Sequence, residues 1–339
     1  MSCHSFAGRM IALGAVLVGL GARPGKGTGQ EDKPPPPART ATATVAILAG
    51  TRMWSDELLF HQWRIQRNVT TRRCRLLDGN DQRHASGTFE HCWAVLERIK
   101  RDRNLPLMRG KAVVLLHGMG RTRKCMVPLA KYLEANGGYA VFNVEYPGLH
   151  QPIRKDAEAL ASILEHLEGI EEINFVAHSM GNLVVRHYLA DQTDPQTGRR
   201  PDPRIKRMVM LGPPNHGSSL AALFGDSKLF NLVLGKPGQE LGRHWAWAAN
   251  DLATPEFEFG IIAGGLGNRE GLNPLLPGDD DGIVSVESTR LAGASDFLVL
   301  PIMHTFLNND QRVFEHTLRF LQHGYFVAPD RRQPVGEER

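Results

Sequence analysis

From residue 111 onward the apolar positions come in unbroken runs rather than in alternation. "KAVVLLH" (111–117), "YAVFNVEY" (139–146), "EINFVAH" (172–178) and "IKRMVMLG" (205–212) are each apolar nearly throughout. Between them lie stretches of helical spacing: 125–136, stopping at Gly137-Gly138, then 153–168, then the residues after Ser179. "FEFGIIAGG" (257–265) and "DFLVLPIM" (296–303) continue the series, with a last helix expected over 309–323. A strand that is apolar on both sides has no solvent face. Such strands separated by helices therefore predict an α/β fold, a mostly parallel sheet with helices on both faces. Functional groups in a sheet of this kind gather at the carboxyl ends of its strands.

Ahead of residue 111 the rhythm changes. "HQWRIQRNVTTRRCRLLDG" alternates at Trp63 and Ile65 and again at Cys74 and Leu76, with "TTR" between the halves, which predicts a β-hairpin. "GTFEHCWAVLERIKRDR" (87–103) places Phe89, Trp93, Leu96 and Ile99 on one helical face behind Thr88 as N-cap. Residues 23–44 are rich in Pro, Gly and Thr without an apolar period and read as a disordered linker. The expected organisation is a leader segment 1–22, the linker 23–44, an N-terminal hairpin-and-helix extension over 45–110, a sheet domain over 111–326 and a disordered tail over 327–339.

Composition narrows the partners. Arg9 precedes "MIALGAVLVGLGA" (10–22), an apolar run ending in small residues and too short to span a bilayer comfortably. That is the pattern of a secretory signal peptide, so export is expected, with a membrane anchor as the alternative. Cleavage would leave Cys74, Cys92 and Cys125, an odd number, with Cys74–Cys92 a candidate bridge. The net charge of +4 is mild, and no aromatic pattern interleaves the basic residues of 63–75 and 96–104. Nucleic acid is therefore not an expected partner. No CxxC, HExxH or His/Cys cluster has metal-ligand spacing, so no metal is expected.

Three strand ends carry candidate chemistry. "A-H-S-M-G" puts Ser179 between Ala177 and Gly181, small residues at the positions where a sharp strand-to-helix turn brings strand and helix closest. The plain alternative is a serine N-cap. "HGMG" (117–120) is a glycine-flanked turn whose Met119 amide, with that of Met180, could face a developing oxyanion. A serine needs a base, and the base needs a carboxylate. Of the histidines after Ser179, only His304 stands at the end of a later strand. "PGDDDGIVSVES" (277–288) supplies the acid, with Asp281 beside Gly282-Ile283-Val284 preferred and Asp280 second. Elbow, turn, acid and histidine fall in the order Ser, acid, His, which makes the nucleophile the better reading of Ser179.

At this point the chain resembles an α/β-hydrolase of the bacterial lipase and serine esterase type. "VVLLHGMG", "FVAHSMGNLVVRHYL", "LGPPNHGS", "DDDGIV" and "IMHTFL" match that family's signature blocks over roughly 111–323, although Ala177 replaces the commoner glycine. The resemblance implies hydrolysis of carboxylic esters, lipids among them, through an acyl-enzyme without a cofactor. It makes Ser179 the nucleophile, Asp281 the acid, His304 the base, and the Met119 and Met180 amides the oxyanion hole. It places Asn215, His216 and Gly217 at the site edge; His117, Gly118 and His178, beside the two turns, are further candidates at the substrate edge, with His117 bracing the loop as the plain alternative. Amidases, thioesterases and acyltransferases share the machinery, and an inactive binding protein could share the scaffold. Transient contact with a lipid surface would suit such a substrate. Finally, "SSLAALFGDSKLFNLVL" (218–234) has helical apolar faces broken at Gly225-Asp226. It reads either as core or as a helical insertion over the site, with Leu223 and Phe224 facing an acyl chain.

Overall fold

The first structured residues build a small antiparallel meander. Strands β1 (Trp54–Phe60), β2 (Trp63–Asn68), β3 (Cys74–Leu77) and β4 (Arg83–Gly87) pair in chain order. The expected hairpin is β2–β3, in register from Arg64 opposite Leu77 to Arg67 opposite Cys74. Its turn closes because the Asn68 side chain accepts the N–H groups of Thr70 and Thr71, a local bond typical of Asn in turns. The flanking β1 and β4 were not legible, since neither alternates cleanly. Helix α1 (Phe89–Asp102) follows, and Thr88 caps it by accepting the His91 N–H at 3.2 Å.

This is a computed structural model, and it describes residues 53–193, 198, 200–217, 245 and 249–336. The signal-peptide segment, the linker and the 218–234 insertion with Leu223 and Phe224 lie outside the described residues. So does the start of the extension. Residues from Met53 onward belong to one compact unit. No helix among the described residues is long and apolar enough to cross a membrane.

The second sheet holds β5 (Gly110–Leu116), β6 (Ala140–Asn143), β7 (Ile170–His178), β8 (Ile205–Leu211), β9 (Glu258–Gly264) and β10 (Asp296–Leu300). All its pairings are parallel, in the order β10-β9-β8-β7-β5-β6. The helices are α2 (Val127–Gly137), α3 (Ile153–Glu165), α4 (Gly181–Gln192), the single turn α5 (Val286–Thr289) and α6 (Gln311–His323). Alternate residues of β5 enter two separate cores. Ala112, Val114 and Leu116 pack with α3, α4 and the small sheet, whereas Val113 and Leu115 pack with α2 and α6. Burial on both sides is why these strands read as unbroken apolar runs. The architecture is an α/β fold, a parallel sheet with helices on both faces, and the antiparallel extension packs on one of its helical faces.

Register brings the chemistry together. Leu116 and Met210 both pair with Ala177, and Leu211 pairs with His178 and Ile262. The residues just beyond β5, β7, β8 and β9 therefore emerge along one carboxyl edge.

The tail corrects an expectation. Residues 327–336, expected as part of a disordered tail, instead fold back through a 3₁₀ turn at Pro329–Arg331 onto the start of β10. Val335 and Gly293–Ala294 exchange backbone bonds, and the buried Asp296 carboxylate accepts the N–H groups of Phe297, Phe326 and Gln333. A polar sequence hides this, because the anchor is one carboxylate far upstream. Asp296→Ala should strand these donors. The expected result is about 1–3 kcal/mol lost in a denaturant melt, with faster proteolysis near residue 330.

Candidate active site

Strand β7 ends where the backbone turns abruptly. Ser179 has φ of 55°, a left-handed conformation that costs a non-glycine residue about 1–2 kcal/mol. Its N–H still donates to Leu211 O, and its own carbonyl accepts from the backbone and side chain of Asn182. Those bonds hold the strained residue at the mouth of α4. The helix packs so close to β5 that a Cβ on Gly181 would lie 2.9 Å from Leu116 O. Ala177, fully buried between β5 and β8, leaves similarly little room. This sharp strand–turn–helix geometry presents the hydroxyl, which an ordinary N-cap at negative φ does not do.

Three side chains from distant parts of the chain form one hydrogen-bonded row. His304 Nε2 lies 2.9 Å from Ser179 Oγ, and His304 Nδ1 lies 2.7 Å from Asp281 Oδ2. Asp281 is almost wholly buried, and its Oδ1 accepts the N–H groups of Ile283 (3.0 Å) and Val284 (2.8 Å). An acceptor-only carboxylate at Nδ1 requires the ring proton there, which leaves Nε2 a lone pair for the serine proton. His304 opens the 3₁₀ turn His304–Asn309, and its N–H donates to Asp281 O at 2.9 Å.

The other two aspartates of the triplet do different work. Asp279 accepts the Leu266 and Gly267 amides just beyond β9. Asp280 accepts the amides of Leu272, Asn273 and Gly282. Both therefore shape the loop that delivers Asp281.

The turn after β5 lies directly against the elbow, since a Cβ on Gly118 would be 3.1 Å from Ser179 Cβ and 3.0 Å from His178 Nδ1. Gly118 O accepts from Arg121 N, and Gly120 has φ of 67°. Neither the Met119 nor the Met180 amide finds an acceptor among the described residues.

Three residues expected at the substrate edge lie behind it instead. His117 is buried beneath the turn, stacked on Tyr146 with centroids 4.0 Å apart. His178 Nε2 donates to His304 O at 2.9 Å. Its burial, and then the charge His304 would carry, hold its pKa well below the ordinary value. Being neutral, it supports the His304 backbone without adding a charge. Asn215 is buried, accepting from Arg186 Nη1 (3.1 Å) and donating to Thr289 O (2.8 Å). In each case a polar side chain in an apolar setting takes an internal partner, and sequence alone cannot tell which. His216 is exposed.

The thiols of Cys74, Cys92 and Cys125 are buried and unbridged, so the candidate Cys74–Cys92 bridge is not formed. Burial pushes Cys74 up to about 11, which leaves no thiolate to compete as a nucleophile. Among the described residues no group of three His, Cys, Asp or Glu side chains could hold a metal.

Residues 82–241 match the model of a domain of unknown function, DUF7379. No curated protein matches the sequence. Among solved structures, the chain is similar to the product of the gene lin2722 from Listeria innocua. The identity is 17%, with 68% of this chain and 99% of that chain covered and a TM-score of 0.44. It is similar to the mature form of the Bacillus licheniformis lipase BlEst2, at 18% identity, 64% and 94% coverage and a TM-score of 0.46. The Pyrococcus furiosus esterase Pf2001 is also similar, at 17% identity, 64% and 84% coverage and a TM-score of 0.43.

Proposed function

We propose that this chain is a serine hydrolase that cleaves carboxylic esters, of the lipase and esterase type, through an acyl-enzyme. The observation that carries the reading is the unbroken row from Asp281 Oδ2 through the His304 ring to Ser179 Oγ, at 2.7 and 2.9 Å. In the first half-reaction Ser179 Oγ bonds to the ester carbonyl carbon while its proton passes to His304 Nε2. The carbonyl oxygen becomes an oxyanion, for which the Met119 and Met180 amides are the proposed donors. One such donor is worth about 10²–10³ in rate. The bond to the alkoxy oxygen then breaks, and His304 returns the proton to the departing alcohol. Water enters, gives its proton to His304 and attacks the acyl carbon. The bond to Ser179 breaks with return of that proton, and the acid is released. Asp281 stays ionised throughout, stabilising the imidazolium.

A fluorophosphonate probe tests the reading. It should label the wild-type protein at Ser179 and leave the Ser179→Ala variant unlabelled, as read by peptide mass spectrometry. Nitrophenyl esters of rising chain length, compared with matched thioesters and anilides, should show ester cleavage dominating. An unlabelled wild-type protein, or faster cleavage of amides than of esters, would overturn it.

A further inference from the structure

Behind the turn that carries Met119 lies a buried cluster of ionisable groups that the chemistry above does not use. His117 Nδ1 is 3.0 Å from Gly118 O. A carbonyl only accepts, so the ring proton sits on Nδ1 and this bond ties the imidazole to the turn. Nε2 then faces Glu145 Oε1 at 3.7 Å. Glu145 follows β6 and is buried; its Oε2 accepts from Arg123 N at 3.2 Å, with Arg123 Nε at 3.9 Å. On its other side stands Asp56 of β1, at the point where that strand's register shifts.

Asp56 is wholly buried. Its Oδ2 accepts from Glu145 N and from Arg64 Nη1, both at 2.7 Å, and its Oδ1 accepts from Gln66 Nε2 at 2.8 Å. Its own N–H donates to Glu145 O at 2.8 Å. The antiparallel sheet and the turn after β5 are thus linked by one row, Asp56–Glu145–His117. Tyr146 closes it by stacking on His117 and donating its hydroxyl to His117 O.

Building on the reading of Ser179 as nucleophile, we propose that Glu145 is a positioning residue for the oxyanion turn. As a neutral acid opposite His117 Nε2 it keeps the imidazole proton on Nδ1, and Asp56 is the contribution of the N-terminal sheet to that arrangement. Burial, and next the charge of Asp56, push the Glu145 carboxyl up to about 8, while Arg123 and Arg64 pull it down. Arg75 also senses the Glu145 charge. When Glu145 gives its proton to solvent, a carboxylate faces a lone pair. The single ring proton of His117 then moves from Nδ1 to Nε2, its bond to Gly118 O is lost, and a negative charge stands behind the oxyanion turn.

The test is the rate of fluorophosphonate labelling between pH 6.5 and 9.5, because the tetrahedral adduct places an oxygen at the same amides. Each protein is scored by its own ratio of rates at pH 9 and pH 7, with folding checked by thermal melting. The wild-type rate should fall about tenfold through pH 8, part of the 10²–10³ that one oxyanion donor is worth. Glu145→Gln cannot ionise and should lose that fall. Asp56→Asn removes the neighbouring charge and should move the fall to lower pH.

Equal falls with equal midpoints in wild type and Glu145→Gln would overturn the proposal, and so would a flat wild-type profile. If Glu145→Gln does not fold, an unmoved midpoint in Asp56→Asn overturns it alone. Absence of wild-type labelling at every pH refutes the nucleophile instead. Melting then reads the proton directly. A carboxyl raised from 4.5 to about 8 in the folded state makes stability fall as pH rises across that window, and Glu145→Gln should remove the slope. An unchanged slope refutes the neutral acid.

Discussion

Replacing Ser179 by alanine is expected to lower ester turnover by about 10⁴–10⁶, replacing His304 by alanine to lower it as much, and combining the two to add little. The reason is that the hydroxyl and the imidazole act as one device. Without the base at 2.9 Å the serine proton has nowhere to go, and without the hydroxyl the base has no nucleophile to activate. The serine change should not unfold the chain, because Ser179 is only half-buried and its structural bonds are made by its backbone. Steady-state kinetics on a short nitrophenyl ester would show kcat collapsing with KM nearly unchanged. A Ser179→Ala protein that kept a tenth of wild-type activity would remove this residue from the role.

Asp281→Asn should cost on the order of 10⁴ in kcat, and its geometry gives the reason. Both Ile283 and Val284 direct N–H groups at Oδ1, so an asparagine must keep its carbonyl oxygen there. Its amide N–H₂ then points at His304 Nδ1. The imidazole is forced into the tautomer with its proton on Nε2 and cannot accept from Ser179. Asp280→Asn is expected to behave differently, because that carboxylate touches only loop amides. It should lose stability by about 1–3 kcal/mol with a much smaller loss of rate. Measuring kcat and melting midpoint for both variants separates the two aspartates. A larger rate loss in Asp280→Asn would reverse the assignment.

Much of this was legible because the signals were local. Ala177, Ser179 and Gly181 lie within five residues, and the crowding that demands small neighbours is a property of one strand–turn–helix junction. Thr88 announces a helix start through a bond three residues away. His304 stood out because only it follows a late strand. Glu145, by contrast, left a faint trace, the one carboxylate in the mostly apolar "YAVFNVEY", and that was read as part of a strand.

The sequence by itself determined the parallel sheet, the elbow and the order of serine, acid and histidine. Each of these follows from apolar periodicity or from contacts between residues near in the chain. Only the tertiary structure decided which aspartate meets His304, that His117, His178 and Asn215 turn inward, and that the tail docks on Asp296. It alone joined Asp56 to Glu145 across 89 residues. The physical reason is that a buried polar group must find a partner wherever the fold supplies one, and the direction of a lone pair or an N–H is set by neighbours that arrive from elsewhere in the chain.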